Sequence, residues 1–310
     1  MAHILVTGAA GFIGSHSTDQ LLRAGHRVTG VDNFRTGHAA NLTAARTSAA
    51  FALHELDLTT PGALAKLATQ LRPDAILHLA ALVSVPESMR QPDLNFSLNL
   101  QATHEVAEAA RLAGVPRVVF ASSAAVYGNH PHLPLREDAP TRPVSPYGAA
   151  KLAGEVLLLG HAAAFGFTVR CQRYYNVFGP RQDPASSYSG AISIFARSYR
   201  EGKAVTVFGD GRQTRDFISV HDVARANVLA TTRPGLTSGI ANICTGRGTS
   251  LLDVLDVFAR ANPNVPHPQH APARPGDVQH SIGAPDAAEK ELGFVAEVSV
   301  AQGLRELIGR

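Results

Sequence analysis

A glycine-rich turn between a strand pattern and a helical pattern limits the possible folds of this chain most strongly. The turn reads G-x-x-G-x-x-G, with Gly8, Gly11 and Gly14 between the strand pattern His3–Thr7 and the helical pattern Ile13–Ala24. Glycines there permit a tight turn and let backbone approach a diphosphate at the N-terminus of the helix. A packing turn can have the same letters, so the flanking strand and helix make the motif specific. It predicts a dinucleotide-binding βαβ unit.

The first half of the chain alternates short apolar runs with helical patterns. Such alternation predicts βαβ units and a parallel sheet, hence an α/β fold. After residue 174 the sequence becomes richer in Gly, Pro, Ser and Asp, and this composition predicts loops and short elements. We expect further strands at Arg27–Val31, Ala52–Leu56, Ala75–Leu79, Val118–Ala121, Thr168–Arg173 and Ala204–Phe208, helices at Pro61–Gln70, Leu94–Ala113, Pro146–Phe165 and Ala191–Glu201, and an irregular connection at Pro263–Pro275.

This change in amino-acid composition predicts that the chain forms two interleaved regions. A nucleotide-binding domain should comprise residues 1–174 together with 216–245. A smaller substrate-binding lobe should comprise residues 175–215 and 246–310.

An acidic residue follows the second predicted strand. The carboxylate of Asp32 can accept hydrogen bonds from an adenosine ribose and would repel a 2′-phosphate, which favours NAD over NADP. Arg35 lies close by and keeps NADP as an alternative. Asp32 could also simply form a turn before Asn33. At the ends of the third and fourth strands, Asp57-Leu58 and Leu79-Ala80-Ala81 should line the cofactor groove, because ligands bind at the carboxyl ends of parallel strands.

Tyr147 and Lys151 are four positions apart, directly after Ser145-Pro146. Ser is a favoured helix N-cap and Pro a favoured first helical residue, so a helix should begin here. The spacing places the phenol and the ammonium on one helical face. A cation and the positive end of a helix both favour the phenolate, so the pair indicates an acid/base group with a lowered phenol pKa. For His78, at a strand end, we expect a bond to backbone rather than a catalytic role.

Composition excludes several classes of protein. The net charge is +3 and the basic residues form no run, so nucleic acid is not expected as a partner. The 14 histidines show no metal-ligand spacing, so we expect no metal. Cys171 and Cys244 should be small buried side chains of a protein in the reducing cytoplasm. No signal peptide and no apolar run of about 18 residues is evident, so no membrane contact is expected.

Motifs in order along nearly the whole chain resemble the extended short-chain dehydrogenase/reductases. The second half of the chain is similar to the nucleotide-sugar 4-epimerases, in particular the UDP-glucose/UDP-N-acetylglucosamine type. The stretches that carry the resemblance are G-x-x-G-x-x-G at 8–14, Asp32-Asn33, H-L-A-A at 78–81, S-S-A-A-V-Y-G at 122–128, Y-G-A-A-K at 147–151, R-Y-Y-N-V-F-G-P-R-Q-D-P at 173–184, F-G-D-G-R-Q-T-R-D-F at 208–217 and R-P-G-D at 274–277.

The resemblance implies a Rossmann-type doubly wound sheet, NAD as the cofactor, a UDP-sugar as the substrate, and a homodimer that uses the helices near 94–113 and 146–165. Ser123, Tyr147 and Lys151 would be the catalytic set, supported by Asn99. The expected cofactor-binding residues are Gly8, Gly11, Phe12, Ile13, Gly14, Asp32, Asn33, Asp57, Leu58, Leu79, Ala80, Ala81, Asn99, Tyr147 and Lys151. The expected substrate-binding residues are Ser84, Ser123, Tyr147, Asn176, Phe208, Arg215, Arg274, Asp277 and Ser281.

General chemistry agrees with the roles at the substrate end. Arginines such as Arg215 and Arg274 suit diphosphate oxygens. Phe208 offers a face on which uracil can stack, and Asp277 can accept hydrogen bonds from ribose hydroxyls.

Two alanines reduce the number of reactions that we expect this chain to catalyse. The resembling 4,6-dehydratases have T-D-E where this chain has Ser123-Ala124-Ala125, and alanine supplies neither acid nor base. We therefore expect a UDP-hexose 4-epimerase, which oxidises the sugar at C4, keeps the reduced cofactor and returns the hydride to the other face. A UDP-uronate epimerase or decarboxylase, with Ser84 and Arg181 as carboxylate partners, is an alternative, as is another oxidoreductase of the family. A catalytically silent NAD-binding protein is a third.

Two positions bear on the sugar. Some 4-epimerases have a lysine where this chain has Val83, and glucose-restricted relatives can have a tyrosine at the place of Ser281. The small residue leaves room for a 2-acetamido group. We therefore expect use of both the plain and the N-acetylated hexose.

Overall fold

The protein is built around a parallel β-sheet. The computed structural model describes residues 1–183, 190–261, 266–273 and 278–309. Within these ranges a seven-stranded sheet has the order β11-β6-β5-β4-β1-β2-β3. The strands are β1 His3–Thr7, β2 Arg27–Asp32, β3 Phe51–Glu55, β4 Ala75–His78, β5 Arg117–Ser123, β6 Thr168–Tyr174, β7 Asn176–Phe178, β8 Thr206–Phe208, β9 Thr214–Arg215, β10 Phe217–Ser219, β11 Gly239–Ile243, β12 Thr249–Ser250, β13 Gln269–Ala271 and β14 His280–Ser281.

Helices connect the strands and cover the sheet. Short 3-10 turns at Ala39–Leu42, Ala45–Thr47 and Ala124–Val126 and π-helical segments at Phe96–Gln101 and Ala288–Leu292 supplement the α-helices. The α-helices are α1 Phe12–Arg23, α2 Ala63–Leu71, α3 Val85–Arg90, α4 Pro92–Asn95, α5 Ala102–Ala113, α6 Pro146–Phe165, α7 Ala191–Arg200, α8 Val220–Thr232, α9 Leu251–Ala261 and α10 Val300–Ile308.

The sheet is buried on both faces, as a parallel sheet with crossover helices must be. All five residues of β1 are buried, and its three apolar residues alternate between two separate cores. On one face Leu5 packs in a core with Leu64 of α2 and Leu158 of α6. On the other face Ile4 packs in a core with Leu21 of α1. This is the parallel sheet of βαβ units that the alternating pattern predicts, in the Rossmann-type arrangement that the resemblance implies.

Among the described residues, three smaller sheets lie outside the main sheet. The central one joins β9 to β12 in antiparallel fashion and to β14 in parallel fashion. β8 pairs with β13, and β7 pairs with β10. A third core, which includes Phe195 of α7, Val254 of α9 and Leu304 of α10, packs beside them. The domain boundaries expected from the sequence stay a prediction.

One predicted helix differs from the structure. Instead of a regular helix over Leu94–Ala113, the chain forms α4, a π-helical turn over Phe96–Gln101, and then α5. The apolar pattern is continuous through this segment, so periodicity alone could not reveal the wider turn. The pattern also gave no indication of α3. The segment predicted to be irregular contains β13, and its residues 263–265 and 274–275 lie outside the described residues.

Two further expectations concern chemistry and location. Cys171 and Cys244 are both buried and free, as predicted. In the parts of the chain that the structure covers, no helix combines the length and the apolar character that crossing a bilayer requires.

Candidate active site

A large cavity runs along the carboxyl ends of the strands. Its volume is about 1570 Å³, more than the roughly 300–1,000 Å³ of a typical site for one small ligand. One end is lined by the glycine turn and Asp32, and the other by Phe208 and Arg215. Tyr147 and Lys151 line the same cavity. The cavity is therefore large enough for a dinucleotide and a second nucleotide ligand together.

The glycine turn is shaped so that no side chain fits into it. Gly8 has a φ of +70°, and a Cβ there would lie 2.7 Å from the backbone nitrogen of Ala80. A Cβ on Gly14 would lie 1.9 Å from the carbonyl oxygen of Gly8, and one on Gly11 would lie 3.2 Å from that oxygen. Such contacts leave only backbone at the N-terminus of α1. This arrangement fits the diphosphate of a dinucleotide.

Asp32 lies at the end of β2 and lines the cavity. Its Oδ2 accepts a hydrogen bond from the Ala10 amide and its Oδ1 from the Phe34 amide, both at 2.8 Å. Burial raises the pKa of Asp32, and these two backbone bonds oppose that shift. The residue thus forms the turn that the sequence allowed and also faces the cavity, where its remaining lone pairs can accept bonds from a ribose.

Asn33 and Asp57 join the ends of β2 and β3. The Asn33 amide donates to Asp57 Oδ2 at 3.1 Å, and the hydroxyl of Thr59 donates to Asp57 Oδ1 at 2.7 Å. Hydrogen bonds from Thr59 are the main cause of the lowered pKa of Asp57. The other expected cofactor residues on this rim that line the cavity are Phe12, Ile13, Leu58, Leu79, Ala80 and Ala81.

The catalytic candidates lie at the start of α6. Ser145 caps this helix by accepting a hydrogen bond from the Gly148 amide at 3.1 Å, and Pro146 is the first helical residue. Lys151 Nζ lies 6.0 Å from the centroid of the Tyr147 ring and 4.9 Å from that of Phe120. The predicted shared face of the phenol and the ammonium is therefore present.

The electrostatics of this pair differ from the sequence-based expectation. Burial raises the pKa of Tyr147, while a hydrogen bond with Ser123 acts in the opposite direction. Burial also lowers the pKa of Lys151 to about 7, and the charge of Glu155 opposes this shift. The expected lowering of the phenol pKa is absent from the protein alone, because desolvation outweighs the hydrogen bond with Ser123.

Two predicted site residues do not line the cavity. Asn99, on the π-helical turn, donates to the Leu82 carbonyl and accepts from the Leu82 amide, both at 3.0 Å. Ser84 is 2% exposed and caps α3 by accepting a bond from the Glu87 amide. Both side chains hold the loop after β4 in place.

His78 has partners other than those expected. Its Nδ1 lies 2.8 Å from the hydroxyl of Thr7 and its Nε2 lies 3.2 Å from that of Thr103, so it bonds to side chains and not to backbone. Burial lowers the pKa of His78 to about 3, and the charge of Lys151 acts in the same direction. A neutral, fully engaged imidazole of this kind is a structural group.

The substrate end brings together residues that are distant in the sequence. Asn176, Phe208, Arg215 and Ser281 all line the cavity. Ser281 of β14 lies beside Arg215 of β9 in the parallel pairing of these strands. Arg274 and Asp277 lie outside the described residues.

Sequence reasoning missed Asp216, which organises the substrate end. This residue is fully buried and accepts hydrogen bonds from the amides of Thr245, Gly246 and Gly283 at 2.8, 2.9 and 3.3 Å. It thereby joins the segment after β11 and the segment after β14 to its neighbour Arg215. Its place inside the R-D-F stretch is a signal, but its partners are too distant in the sequence to be read from it.

A second missed feature is a buried ion pair behind the catalytic helix. Glu155 accepts two bonds from the Arg173 guanidinium, at 2.9 and 2.7 Å, and also one from Ser122. The two side chains are 2% and 3% exposed. Glu155 follows Lys151 by one helical turn and supplies the nearest negative charge to it. The pair fixes α6 against β5 and β6.

Comparison with known proteins agrees with the fold. Residues 4–244 match the family model of the NAD dependent epimerase/dehydratase family. The chain is 39% identical over 305 residues to a UDP-glucose 4-epimerase of Mycolicibacterium smegmatis, with 98% of this chain and 96% of the relative covered.

Solved structures give the same result. A UDP-glucose 4-epimerase of Thermotoga maritima, solved with UDP-glucose, has a TM-score of 0.92 and 35% identity, covering 99% of this chain and 97% of that one. A UDP-N-acetylglucosamine 4-epimerase of Methanobrevibacter ruminantium, in complex with UDP-N-acetylmuramic acid, has a TM-score of 0.93 and 32% identity, with the same coverage. The residues that match the family model include both the glycine cradle and the strands that carry Phe208 and Arg215. This chain therefore belongs to the NAD-dependent epimerase/dehydratase family.

Proposed function

We propose that this protein is an NAD-dependent UDP-hexose 4-epimerase that interconverts UDP-glucose and UDP-galactose and also accepts the 2-acetamido pair. One observation carries the proposal. The cavity has a backbone cradle for a dinucleotide at one end and Phe208 with Arg215 at the other, and Ser123, Tyr147 and Lys151 line it together. The relatives named above carry the same activity in their names.

The residues at the centre can move one proton reversibly. Bound NAD⁺ would be held by the glycine cradle and Asp32 and supplies a hydride acceptor. Tyr147 Oη takes the proton of the sugar 4-hydroxyl, and Ser123 hydrogen-bonds the reacting oxygen. Lys151, as a cation, stabilises the phenolate. As C4 of the keto sugar takes the hydride back on its other face, Tyr147 would return the proton to the C4 oxygen, which gives the inverted alcohol.

The residues next to Ser123 support epimerisation over dehydration. Ala124 and Ala125 line the cavity in the 3-10 turn after β5. Elimination of water across C5 and C6 needs an additional base and an additional acid, and methyl groups supply neither. A reversible oxidation at C4 needs no group beyond the three that are present.

The substrate end suits a uridine diphosphate. Arg215 offers a guanidinium for diphosphate oxygens, and Phe208 offers a ring face for the base. Asn176 is held by hydrogen bonds from its amide groups to the Asp216 carbonyl. We assign Arg274 and Asp277 to the same ligand by resemblance.

Small side chains support use of the N-acetylated sugar. Val83 and Ser281 line the cavity where some relatives have lysine or tyrosine. A serine leaves space that a tyrosine ring would fill. The 2-acetamido group can use that space.

A UDP-uronate substrate receives less support. Its carboxylate would need Ser84 and Arg181, but Ser84 is buried as the cap of α3. Arg181 forms an ion pair with Asp19 of α1 at 2.7 Å. Ser84 Oγ and Arg181 Nη2 are thus engaged within the protein, whereas the buried Nη1 of Arg181 has no hydrogen-bond partner among the described residues.

The test is product analysis with UDP-glucose, UDP-N-acetylglucosamine and UDP-glucuronate in separate incubations. We expect the first two to equilibrate with their C4 epimers. With deuterium at C4, the label should return to C4 without loss to solvent, because the hydride comes back to the same sugar. Conversion of UDP-glucuronate alone would instead establish the uronate enzyme, and no conversion with retained NAD binding would establish a silent NAD-binding protein.

A homodimer and a cytoplasmic location are part of the proposal. Phe96, Leu112, Val156 and Phe165 on the outer faces of the 96–113 segment and α6 are each more than half exposed. Apolar side chains at such density suit burial against a second copy. The two free cysteines suit a reducing compartment. Sedimentation at several concentrations would test the dimer.

A further inference from the structure

An ion pair connects the loop after β2 to helix α3, and these two segments lie on opposite sides of the glycine turn. The guanidinium of Arg35, in the loop after β2, donates to Glu87 Oε1 of α3 at 2.7 Å. The Glu87 side chain is 5% exposed and the Arg35 side chain 34%. Both residues line the large cavity.

The strand order decides where this ion pair lies. β1 is hydrogen-bonded to β4 on one side and to β2 on the other. Arg35 follows β2, and α3 follows β4. A direct contact between them must therefore span the carboxyl end of β1, which is where the Gly8–Gly14 turn forms its cradle.

Both ends of the pair are held by other parts of the site. The Arg35 amide donates to Asn33 Oδ1 at 3.1 Å, and Asn33 is bonded to Asp57. On the other side, Ser88 Oγ, next to Glu87, accepts a hydrogen bond from the Tyr147 amide at 3.2 Å. The pair thus links the rim that would hold the adenosine to the start of the catalytic helix.

We propose that Arg35 and Glu87 form a clasp over the dinucleotide, closed during turnover and opened to admit or release it. This inference rests on the proposed function, since an epimerase that returns its hydride must keep the reduced cofactor between the two half-reactions. The closed clasp blocks the exit between the loops after β2 and β4. Arg35 is then a retention residue rather than a ligand of a 2′-phosphate, because its guanidinium is engaged by Glu87.

The experiment measures release of NAD from the purified holoprotein, without any sugar. Protein loaded with radiolabelled NAD is diluted into excess unlabelled NAD, and the bound label is followed over time. Glu87→Gln removes the charge but keeps the shape, and Arg35→Gln removes the other charge. We expect each to release NAD about tenfold faster, the factor that corresponds to one charge-assisted hydrogen bond. The double variant should release NAD no faster than either single variant.

Matched controls show whether faster release comes from loss of this ion pair in particular. Arg260→Gln removes the cation of an exposed ion pair with Asp256 on α9 and should leave NAD release unchanged. The exchanged pair Arg35→Glu with Glu87→Arg should restore slow release, which a merely structural loss would not do. Slower release from Glu87→Gln would show that Arg35 binds phosphate instead, and would overturn the clasp.

The outcomes also distinguish the clasp from the proposed function. Unchanged release from both single variants, with normal NAD binding, would overturn the clasp alone. Failure of the unaltered protein to bind NAD would overturn the proposed function and the clasp with it.

Discussion

The two ends of the cavity are built in different ways. The cofactor end is built around one continuous stretch, from the Gly8–Gly14 turn to Asp32, to which residues after β3 and β4 are added, and it is supported by strands that are buried on both faces. The substrate end is assembled from β7, β8, β9 and β14, which are two or three residues long and lie in separate parts of the sequence. The first is thus specified by local sequence and a large core. The second depends on long-range contacts such as those of Asp216.

This contrast implies different responses to substitution. A change in the glycine turn should act on both folding and cofactor binding, because cradle and core are packed together. A change at the substrate end should act mainly on the recognition of one ligand. Substitutions that separate these effects test whether the two ends are independent.

The largest effect is expected where the two ends meet. Tyr147→Phe removes the hydroxyl that moves the proton, so turnover should fall about a thousandfold, within the range for loss of a general acid/base. Bound NAD should be retained, since the glycine cradle is unchanged. Steady-state rates and NAD content measure the two quantities. Tyr127→Phe, which removes a buried hydroxyl bonded to Asn242 away from the cavity, is the control and should keep most activity.

Gly14→Ala should break the cofactor end. Its Cβ would lie 1.9 Å from the Gly8 carbonyl oxygen, so we expect a loss of about 1–3 kcal/mol in the free energy of unfolding and about hundredfold weaker NAD binding. Denaturant unfolding and NAD titration provide the measurements. Gly160→Ala in α6, where a Cβ meets nothing within 4 Å, should instead stabilise the protein. Equal effects of the two substitutions would contradict the close-packed cradle.

Arg215→Gln should affect the substrate end alone. Loss of one guanidinium at the diphosphate should raise KM about thirtyfold, while NAD affinity stays unchanged. Initial rates over a range of UDP-glucose concentrations, with NAD titration in parallel, would show this. A drop in NAD affinity of similar size would mean that the two ends are coupled.

The smallest expected effect concerns the choice of sugar. Ser281→Tyr places a ring where the acetamido group is proposed to fit, so kcat/KM should fall about tenfold more for the N-acetylated sugar than for the plain hexose. Competition between the two UDP-sugars measures the ratio directly, and Ser281→Ala is the control of small volume. Equal losses for both sugars would place the acetamido group elsewhere.

The sequence predicted the cofactor end better because its signals are local. The strand, glycine turn and helix near the N-terminus and the cap of α6 at Ser145-Pro146 all agree with the structure, since each depends on neighbouring residues. The burial of Tyr147 and Lys151 and the consequent direction of their pKa shifts could not be read from spacing, because desolvation depends on the surrounding fold. The internal bonds of Ser84 and Asn99 are likewise set by tertiary contacts.

The π-helical turn at Phe96–Gln101 carries a consequence for how this site can change over time. A π turn contains one more residue per hydrogen-bonded ring than an α turn. Here the turn contains Asn99, which holds the loop after β4, and it is followed by α5, whose buried face packs into the core. Deletion of a single residue within this turn would rotate the side chains of α5 by about 100° about the helix axis. The turn therefore sets how α5 is rotated about its axis relative to the loop that lines the site. Gain or loss of one residue in the turn is thus a discrete evolutionary step rather than a gradual one.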